Sequence, residues 1–430
     1  MLDIKVFREN PGIIKESEKK RGRDPKRVDK IVELDTAWRK ANQEADKLKN
    51  KRNTVSEEIN KLKKAGKPAA AKIKEMKSVA ENIRKQDEKI KKLLEQRDNL
   101  ILGIGNILEP SVPIGKDESD NVPIKHVGKK PKFNFKFKDH IELGESLDLF
   151  EFETAARAAG ARFAYFKNEA AILDLALQHF AVDYLTKQGF AMVWPPMMLN
   201  RATLAGGVNL SEFEDTIYKI EGEDLYLIGT SEHPLIALRK DQVLKEKDLP
   251  IKVGGISACF RKEAGSHGRD TKGIFRMHQF NKIEQVVYCK PEDSPKYFKE
   301  LQRNAEKLFE ALEIPFRVVN TCTGDLGNKQ AIMYDIEAWM PGQNNKKGAY
   351  REVTSCSNCK DYQAVTLNTK FIREKTGKKE YVHMLNNTAI ATPRAIVAIL
   401  ENFQQKDGSV KIPKVLWKYT GFKVIKPKKK

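Results

Sequence analysis

Between Arg27 and Ile101 apolar residues recur in alternating steps of three and four. Before Lys64-Ala65-Gly66-Lys67-Pro68 they stand at Ile31, Leu34, Trp38, Ala41, Ala45, Leu48, Val55, Ile59 and Leu62. After it come Ile73, Met76, Ala80, Ile83, Ile90, Leu94 and Ile101, with Arg52 filling a seam position and Asp87 and Arg97 as polar interruptions. A repeat sustained on both sides of one Gly/Pro turn predicts an antiparallel coiled-coil hairpin. Each helix is then about 36 residues, or roughly 55 Å at 1.5 Å per residue. A two-helix seam leaves most of each helix in water, so this is an arm and not a globular core. It carries 21 Lys/Arg and 13 Asp/Glu. Such a field suits a nucleic-acid backbone without reading its sequence. A solvated coiled-coil surface with ordinary helix pairs explains the same charges equally well.

The rest of the 430 residues is different in kind. Hydrophobic residues at 40% exclude a disordered chain, and charged residues at 32% exclude a membrane-embedded one. No apolar run nears the ~18 residues of a membrane span. Met1-Leu2-Asp3-Ile4-Lys5 has an acid in its first turn and no apolar stretch, so no signal peptide is expected. Five cysteines, an odd number thinly spread, point to a reducing cytoplasm. The net charge of +20 favours a polyanionic partner.

Pro110, Pro113, Pro123 and Pro131 mark a connector from Glu109 to Asp139. Beyond it, helices are expected over Leu173–Thr186, Pro295–Leu312 and Pro393–Gln404, the last with Thr392 as N-cap. Strands are expected over Gly189–Trp194, Leu225–Ile228, Ile256–Arg261 and Arg276–Tyr288. Hairpins and long loops with few βαβ units predict an α+β domain on an antiparallel sheet. From Lys414 the chain carries seven lysines and no acid, which reads as a solvated tail.

Three segments resist a purely structural account. Phe260-Arg261-Lys262-Glu263 and Arg276-Met277-His278-Gln279-Phe280 with Glu284 would bring arginines and an acid onto an internal strand pair, where buried charge needs partners. Thr230-Ser231-Glu232 follows an apolar strand. Glu352-Val353-Thr354-Ser355 precedes Asn386-Asn387-Thr388 and Arg394. Taken singly, each is also explained by ion pairing, capping or loop chemistry. Cys356-x-x-Cys359 has no second Cys or His pair at zinc spacing, so no structural zinc is expected.

Together these segments closely resemble the seryl-tRNA synthetases, class II aminoacyl-tRNA synthetases, over nearly the whole chain. Arg8-Glu9-Asn10-Pro11 is similar to the family's start. Gly189-Phe190 to Pro195-Pro196 resembles the first class II motif, which builds a dimer interface. The two arginine segments resemble the second motif and Asn386 to Arg394 the third. Cys356-Ser357-Asn358-Cys359, preceded by Glu352 and Ser355, resembles a stretch particular to the seryl enzymes. Asn387-Thr388-Ala389-Ile390-Ala391, where members often carry glycines, is similar to the archaeal and eukaryotic variant.

The resemblance implies three parts. They are an N-terminal tRNA-binding domain over 1–108 with its helical arm, a linker over 109–139, and a class II catalytic domain over 140–430. It also implies a reaction in two steps. Serine's carboxylate attacks the α-phosphate of ATP to give seryl-adenylate and pyrophosphate, and a terminal ribose hydroxyl of tRNA(Ser) then takes the seryl group. Use of tRNA(Sec) stays open. Arg261, Arg276 and Arg394 are implied as catalytic. ATP is implied to meet Arg261, Lys262, Glu263, Arg276, Met277, Phe280, Glu352, Val353, Thr354, Ser355 and Arg394. Glu352 and Ser355 are implied to hold Mg²⁺. Serine is implied to meet Thr230, Ser231, Glu232, Arg261, Glu284, Asn386 and Thr388. A cytoplasmic homodimer is implied as well, with no membrane contact. A catalytically silent paralogue that binds RNA or a protein partner is the competing class, but it predicts damage at Arg261, Glu284, Glu352 or Arg394, and all four are intact. A synthetase for threonine, proline or histidine would want a further domain after the third motif, where only about 27 residues follow Gln404.

Overall fold

The computed structural model describes residues 1–208, 214–263, 270 and 272–428. The chain divides into two compact units, Met1–Ile107 and Leu108–Lys430.

In the first unit, short helices Ile4–Glu9 and Pro11–Lys20 precede two long ones, Lys26–Lys64 and Ala70–Leu102. Gly66 sits between the long pair at φ 66°, a left-handed turn position that suits glycine. The long helices bury Ile31, Leu34, Ala41, Ala45, Val55 and Ile59 against Val79, Ile83 and Ile101. Arg52, assigned to the seam, is instead exposed. Near Asp87 the seam runs through Gln86, which donates to the carbonyl of Ala41 at 3.0 Å and to Glu44 at 2.9 Å. Arg97 interrupts the apolar pattern but not the burial. It meets Asp35 at 2.9 Å, and its guanidinium lies 5.1 Å from the Trp38 ring. Arg8 takes both oxygens of Asp35 at 2.8 Å, and Arg39 adds a contact at 3.1 Å. Burial alone would raise the Asp35 carboxyl, but Arg8 and Arg97 outweigh it and hold the carboxyl below its usual range.

The second unit is built on an eight-stranded sheet. In spatial order the strands are Val122–Val127, Phe316–Asn320, Ile332–Met340, Ala349–Asn358, His383–Ala391, Gln279–Cys289, Ile251–Phe260 and Ala191–Val193. Every neighbouring pair is antiparallel except the last. The expected α+β architecture is therefore present. Helices Asn168–Lys187, Ser294–Ala311 and Thr392–Phe403 cover one face and bury Leu173, Leu177, Leu301, Leu308, Ile396 and Leu400.

Four local readings change. The strand pair is Ile251–Phe260 with Gln279–Cys289, so Arg261 and Arg276 flank the strands and are not part of them. Charges placed just past a strand end avoid burial between ladder neighbours. Residues 122–127, inside the stretch read as a connector, form the edge strand, which tolerates Pro123 because an edge leaves one side of the ladder unpaired. The helix at 392 starts one residue early, and Thr392 does not cap it. Its hydroxyl bonds to Asp174 and to the carbonyl of Asn281. The lysine-rich end is folded over the described part: Val410–Lys411 pairs with Val424–Ile425, and Leu416 and Ile425 are fully buried. Lys429 and Lys430 lie outside the described residues.

Candidate active site

Strand alternation lays out the floor of a cleft. Phe280, Lys282 and Glu284 share one face of Gln279–Cys289, while Ile283, Val287 and Cys289 enter the core on the other. The neighbouring strand pairs Thr388 opposite Glu284, with a register shift between Thr388 and Ile390 where Ala389 is the extra residue. Across the other edge Gly255 lies opposite Glu284. A Cβ there would come within 2.8 Å of Ser231 and Leu235, so the glycine lets the 229–232 turn pack directly on the sheet.

Thr230 is thereby brought to Glu284, its hydroxyl donating at 3.3 Å, and it also accepts from the amide of Glu232 at 3.2 Å. Lys282 lies 2.5 Å from Glu284 and donates to the Thr388 hydroxyl at 3.1 Å. Burial raises the Glu284 carboxyl, and Lys282 offsets only part of that. Asn386 is buried nearby and donates to the Cys359 sulfur at 3.8 Å. Ser231 is fully buried, and its hydroxyl has no hydrogen-bond partner among the described residues. Glu232 is gripped by Lys329 at 2.5 Å and by the Gln363 amide at 2.9 Å.

Beside this acidic corner opens a cationic cleft with about 490 Å³ of empty space. Arg261, Glu263, Arg276, Met277, Phe280, Glu352, Val353 and Arg394 line it, and so do Lys282 and Thr388. Arg261 stands where the two regions meet. It donates to the carbonyl of Gly229 at 3.1 Å, and its guanidinium lies 5.3 Å from the Phe280 ring. Arg276 pairs with Glu263 at 2.9 Å. Arg351 and Arg394 both lie over Phe275, at 4.0 and 4.9 Å. Lys262 does not line the cleft. Its side chain is exposed, with the ammonium 6.0 Å from the Tyr218 ring.

Glu352 and Ser355 are three residues apart on one strand, a spacing that normally places side chains on opposite faces. The ladder shifts between Ile336 and Glu337, so that Glu337 faces Glu352 and Asp335 faces Ser355. The extra residue in this bulge turns Glu352 and Ser355 to the same side. Glu352 meets Arg394 at 3.2 Å. Half of the Glu352 side chain is open to solvent; desolvation by the surrounding protein would raise its carboxyl, but Arg394 and Arg261 hold it below its usual value. Asp335 behaves oppositely: burial and the nearby Glu352 push it up, and its Oδ1 has no hydrogen-bond partner. Thr354 lies behind the strand, buried, its hydroxyl without a hydrogen-bond partner among the described residues. Among the described residues no group of three or more His, Cys, Asp or Glu could hold a metal ion.

Lys282, Lys329, Gln363 and Arg351 were missed from the sequence. Only Lys282 carried a readable signal, because it lies midway between Phe280 and Glu284 at the two-residue period of one strand face. Lys329 and Gln363 reach Glu232 from 97 and 131 residues away.

Residues 1–108 match the model for the seryl-tRNA synthetase N-terminal domain, and residues 215–403 match that for the class II tRNA synthetase core domain of the G, H, P, S and T enzymes. The serine–tRNA ligase of Pyrococcus horikoshii is 49% identical over all of this chain and 98% of that protein. The crystal structure of the seryl-tRNA synthetase from that organism, complexed with ATP, aligns over the full length of both chains with a TM-score of 0.92. The cytoplasmic serine–tRNA ligase of Naegleria fowleri in complex with AMP is 36% identical, covers 100% of this chain and 99% of that one, and has a TM-score of 0.88.

Proposed function

This chain belongs to the seryl-tRNA synthetase family, an ATP-dependent serine–tRNA ligase by its relatives, and on that premise we propose how its cleft divides the work. The observation that carries the reading is the position of Arg261 between an acidic corner and a cationic cleft. Serine belongs in the corner. Glu232 and Glu284 accept from its ammonium and hydroxyl, and Thr230, Asn386 and Thr388 complete the polar lining. Groups placed for a hydroxyl are left unpaired by alanine, which rejects it. Rejection of threonine falls to steric closure around the bound serine. Ser231 supports the corner from behind, since its side chain packs toward Gly255.

ATP belongs in the cleft. Phe280 offers a flat apolar face to adenine, with Met277 and Val353 beside it. Arg261 supplies a rigid fork to the α-phosphate just where serine's carboxylate arrives, so the nucleophile and the charge that must be stabilised share one donor. Arg276 and Arg394 meet the outer phosphates. Glu263, paired with Arg276, holds that arginine at the cleft wall. No base is needed, because the attacking carboxylate is already ionised. Lys262, Thr354 and the backbone around them frame the site without facing it.

Glu352 and Ser355 fit Mg²⁺. They are hard oxygen donors turned to one side of the strand by the bulge, and an ion that keeps waters and phosphate oxygens needs few protein ligands. Bound there with ATP, the ion would neutralise phosphate charge.

The basic arm is proposed to hold tRNA(Ser) by shape and backbone, in a cytoplasmic homodimer. The dimer is supported by Ile172 and Leu175 on helix Asn168–Lys187, and by Tyr165 and Trp194, all large apolar side chains exposed at 44–71%. Among the described residues no helix is long and apolar enough to cross a membrane.

Serine-dependent ATP–pyrophosphate exchange without tRNA tests this assignment, with alanine and threonine as controls. Exchange with serine alone is the expected result. A folded protein that binds ATP and exchanges with no amino acid would return the chain to the RNA-binding class.

A further inference from the structure

The acidic corner contains a grip that the reaction as described does not use. Glu232 is 7% exposed, and among the described residues its two side-chain donors take the same oxygen, Oε1: Lys329 at 2.5 Å and Gln363 at 2.9 Å. Neither donor comes from an element that forms the cleft floor. Lys329 lies in the segment between strands Phe316–Asn320 and Ile332–Met340. It also reaches the carbonyl of Gly207 at 3.4 Å, so its ammonium is held from two sides. Gln363 sits on helix Tyr362–Leu367 and is 1% exposed. Its own Oε1 is buried with no hydrogen-bond partner among the described residues. An unpaired buried acceptor is a standing cost, and here it accompanies an amide whose NH₂ is committed to Glu232.

We propose that Lys329 and Gln363 are positioning residues for serine's ammonium. By occupying Oε1 of Glu232 they fix that carboxylate's rotamer and leave Oε2 as the acceptor offered to the substrate. The proposal rests on the reading of Glu232 as a serine residue. Two donors on one oxygen remove the freedom of the carboxylate to swing or flip, so less ordering is left for the substrate to supply.

The charges around Glu232 agree. Facing it are Lys329, His233 and Glu284, with Lys282 and Arg261 bearing on His233 and the Cys359 thiol bearing on Lys329. Burial would raise the Glu232 carboxyl, but the Lys329 ammonium, the neighbouring His233 and the hydrogen bonds from Lys329 and Gln363 together outweigh burial and keep it ionised, at about 2. Burial holds His233 neutral, lowered to about 3, so Lys329 supplies the positive charge at Glu232. Cys359 is pushed up to about 12 by burial and remains a thiol. Removing Lys329 would therefore loosen Glu232 and let it take up a proton within the working pH range.

The test is exchange kinetics on full-length Lys329→Met, Lys329→Arg and Gln363→Met. Lys329→Met is expected to raise the KM for serine about tenfold, with the KM for ATP within about twofold. The ratio of variant to wild-type serine KM should be largest near pH 5 and shrink towards pH 8, as Glu232 deprotonates without its partner. Lys329→Arg should recover most of the loss. Gln363→Met should raise serine KM about threefold with a ratio that varies with pH less than that of Lys329→Met. A pH-independent ratio for Lys329→Met, or equal losses for serine and ATP, would overturn the proposal. Should Lys329→Met fail to fold by circular dichroism, an unchanged serine KM in Gln363→Met overturns it instead. A wild-type enzyme without serine-dependent exchange would bring down the assignment of Glu232 itself. Normal wild-type exchange with unchanged variants brings down this inference alone.

Discussion

Asp35 in the helical unit and Glu284 and Asp335 in the sheet unit are buried carboxylates held in opposite ways. In the helical unit Asp35 is closed off by Arg8, Arg39 and Arg97, and its carboxyl lies below the ordinary range. In the sheet unit Glu284 and Asp335 are equally buried but under-compensated, and both lie above it. Asp335 keeps an oxygen with no donor. A network with every partner in place holds two helices in register, and it gains nothing from a ligand. A network left open is a cost in the free protein that a ligand's charges can offset. The contrast separates Asp35, whose partners are complete, from Glu284, which stays open on the side proposed for serine.

Arg261 should give the largest effect. Arg261→Ala is expected to lower serine-dependent exchange by about 100- to 1,000-fold, as for loss of a donor aimed at transition-state charge, with little change in Tm. A large fall in Tm would move Arg261 into the structural class and erase the contrast. Asp35→Ala should do the reverse. Stranding buried Arg97 without its carboxylate should destabilise the helical unit by about 3 kcal/mol, seen in a thermal melt, while exchange stays near wild type. Loss of exchange in that variant would show that the two units do not fold independently.

Replacing residues 53–77 by a short Gly-containing turn removes the outer arm. Charging of tRNA(Ser) should fall about 100-fold as phosphate contacts are lost, with exchange within about twofold. Equal loss of both activities would break the division of labour.

The smallest effect concerns pH. His233 is held neutral by burial, lowered to about 3, whereas in the unfolded chain it titrates near its ordinary value of about 6.5. Between those values the unfolded state binds the extra proton, so stability is full above about pH 6.5 and declines as pH falls towards 3. At pH 5 the loss is about 2 kcal/mol. His233→Gln should flatten that part of the Tm–pH curve, and an unchanged slope would assign the loss to other groups.

Legibility followed the range of the interactions. The arm was readable almost residue by residue, because a coiled-coil seam is set by neighbours three and four apart. Its departures were Arg52 and Ile73, exposed where the seam was expected, and Arg97, whose burial depended on Asp35 from the other helix. In the sheet unit the motifs named Arg261, Phe280, Glu284, Glu352 and Thr388, and all five lie on or beside the same cleft. The N-cap assigned to Thr392 failed because Asp174, 218 residues away, claims its hydroxyl. The tail from Lys414 looked solvated by composition, but Leu416 and Ile425 are enough to anchor it.

The amino-acid sequence alone determined the hairpin arm, the antiparallel α+β character of the remainder, the family, and the identity of most charged residues at the site. Those follow from periodicity and from motifs whose residues lie close together in the chain. The tertiary structure alone decided the bulge that turns Glu352 and Ser355 to one side, the edge strand within the connector, and the hold of Lys329 and Gln363 on Glu232. Each depends on strand register or on a contact spanning about a hundred residues or more, and such pairings are settled by packing the whole sheet, not by any local stretch of chain.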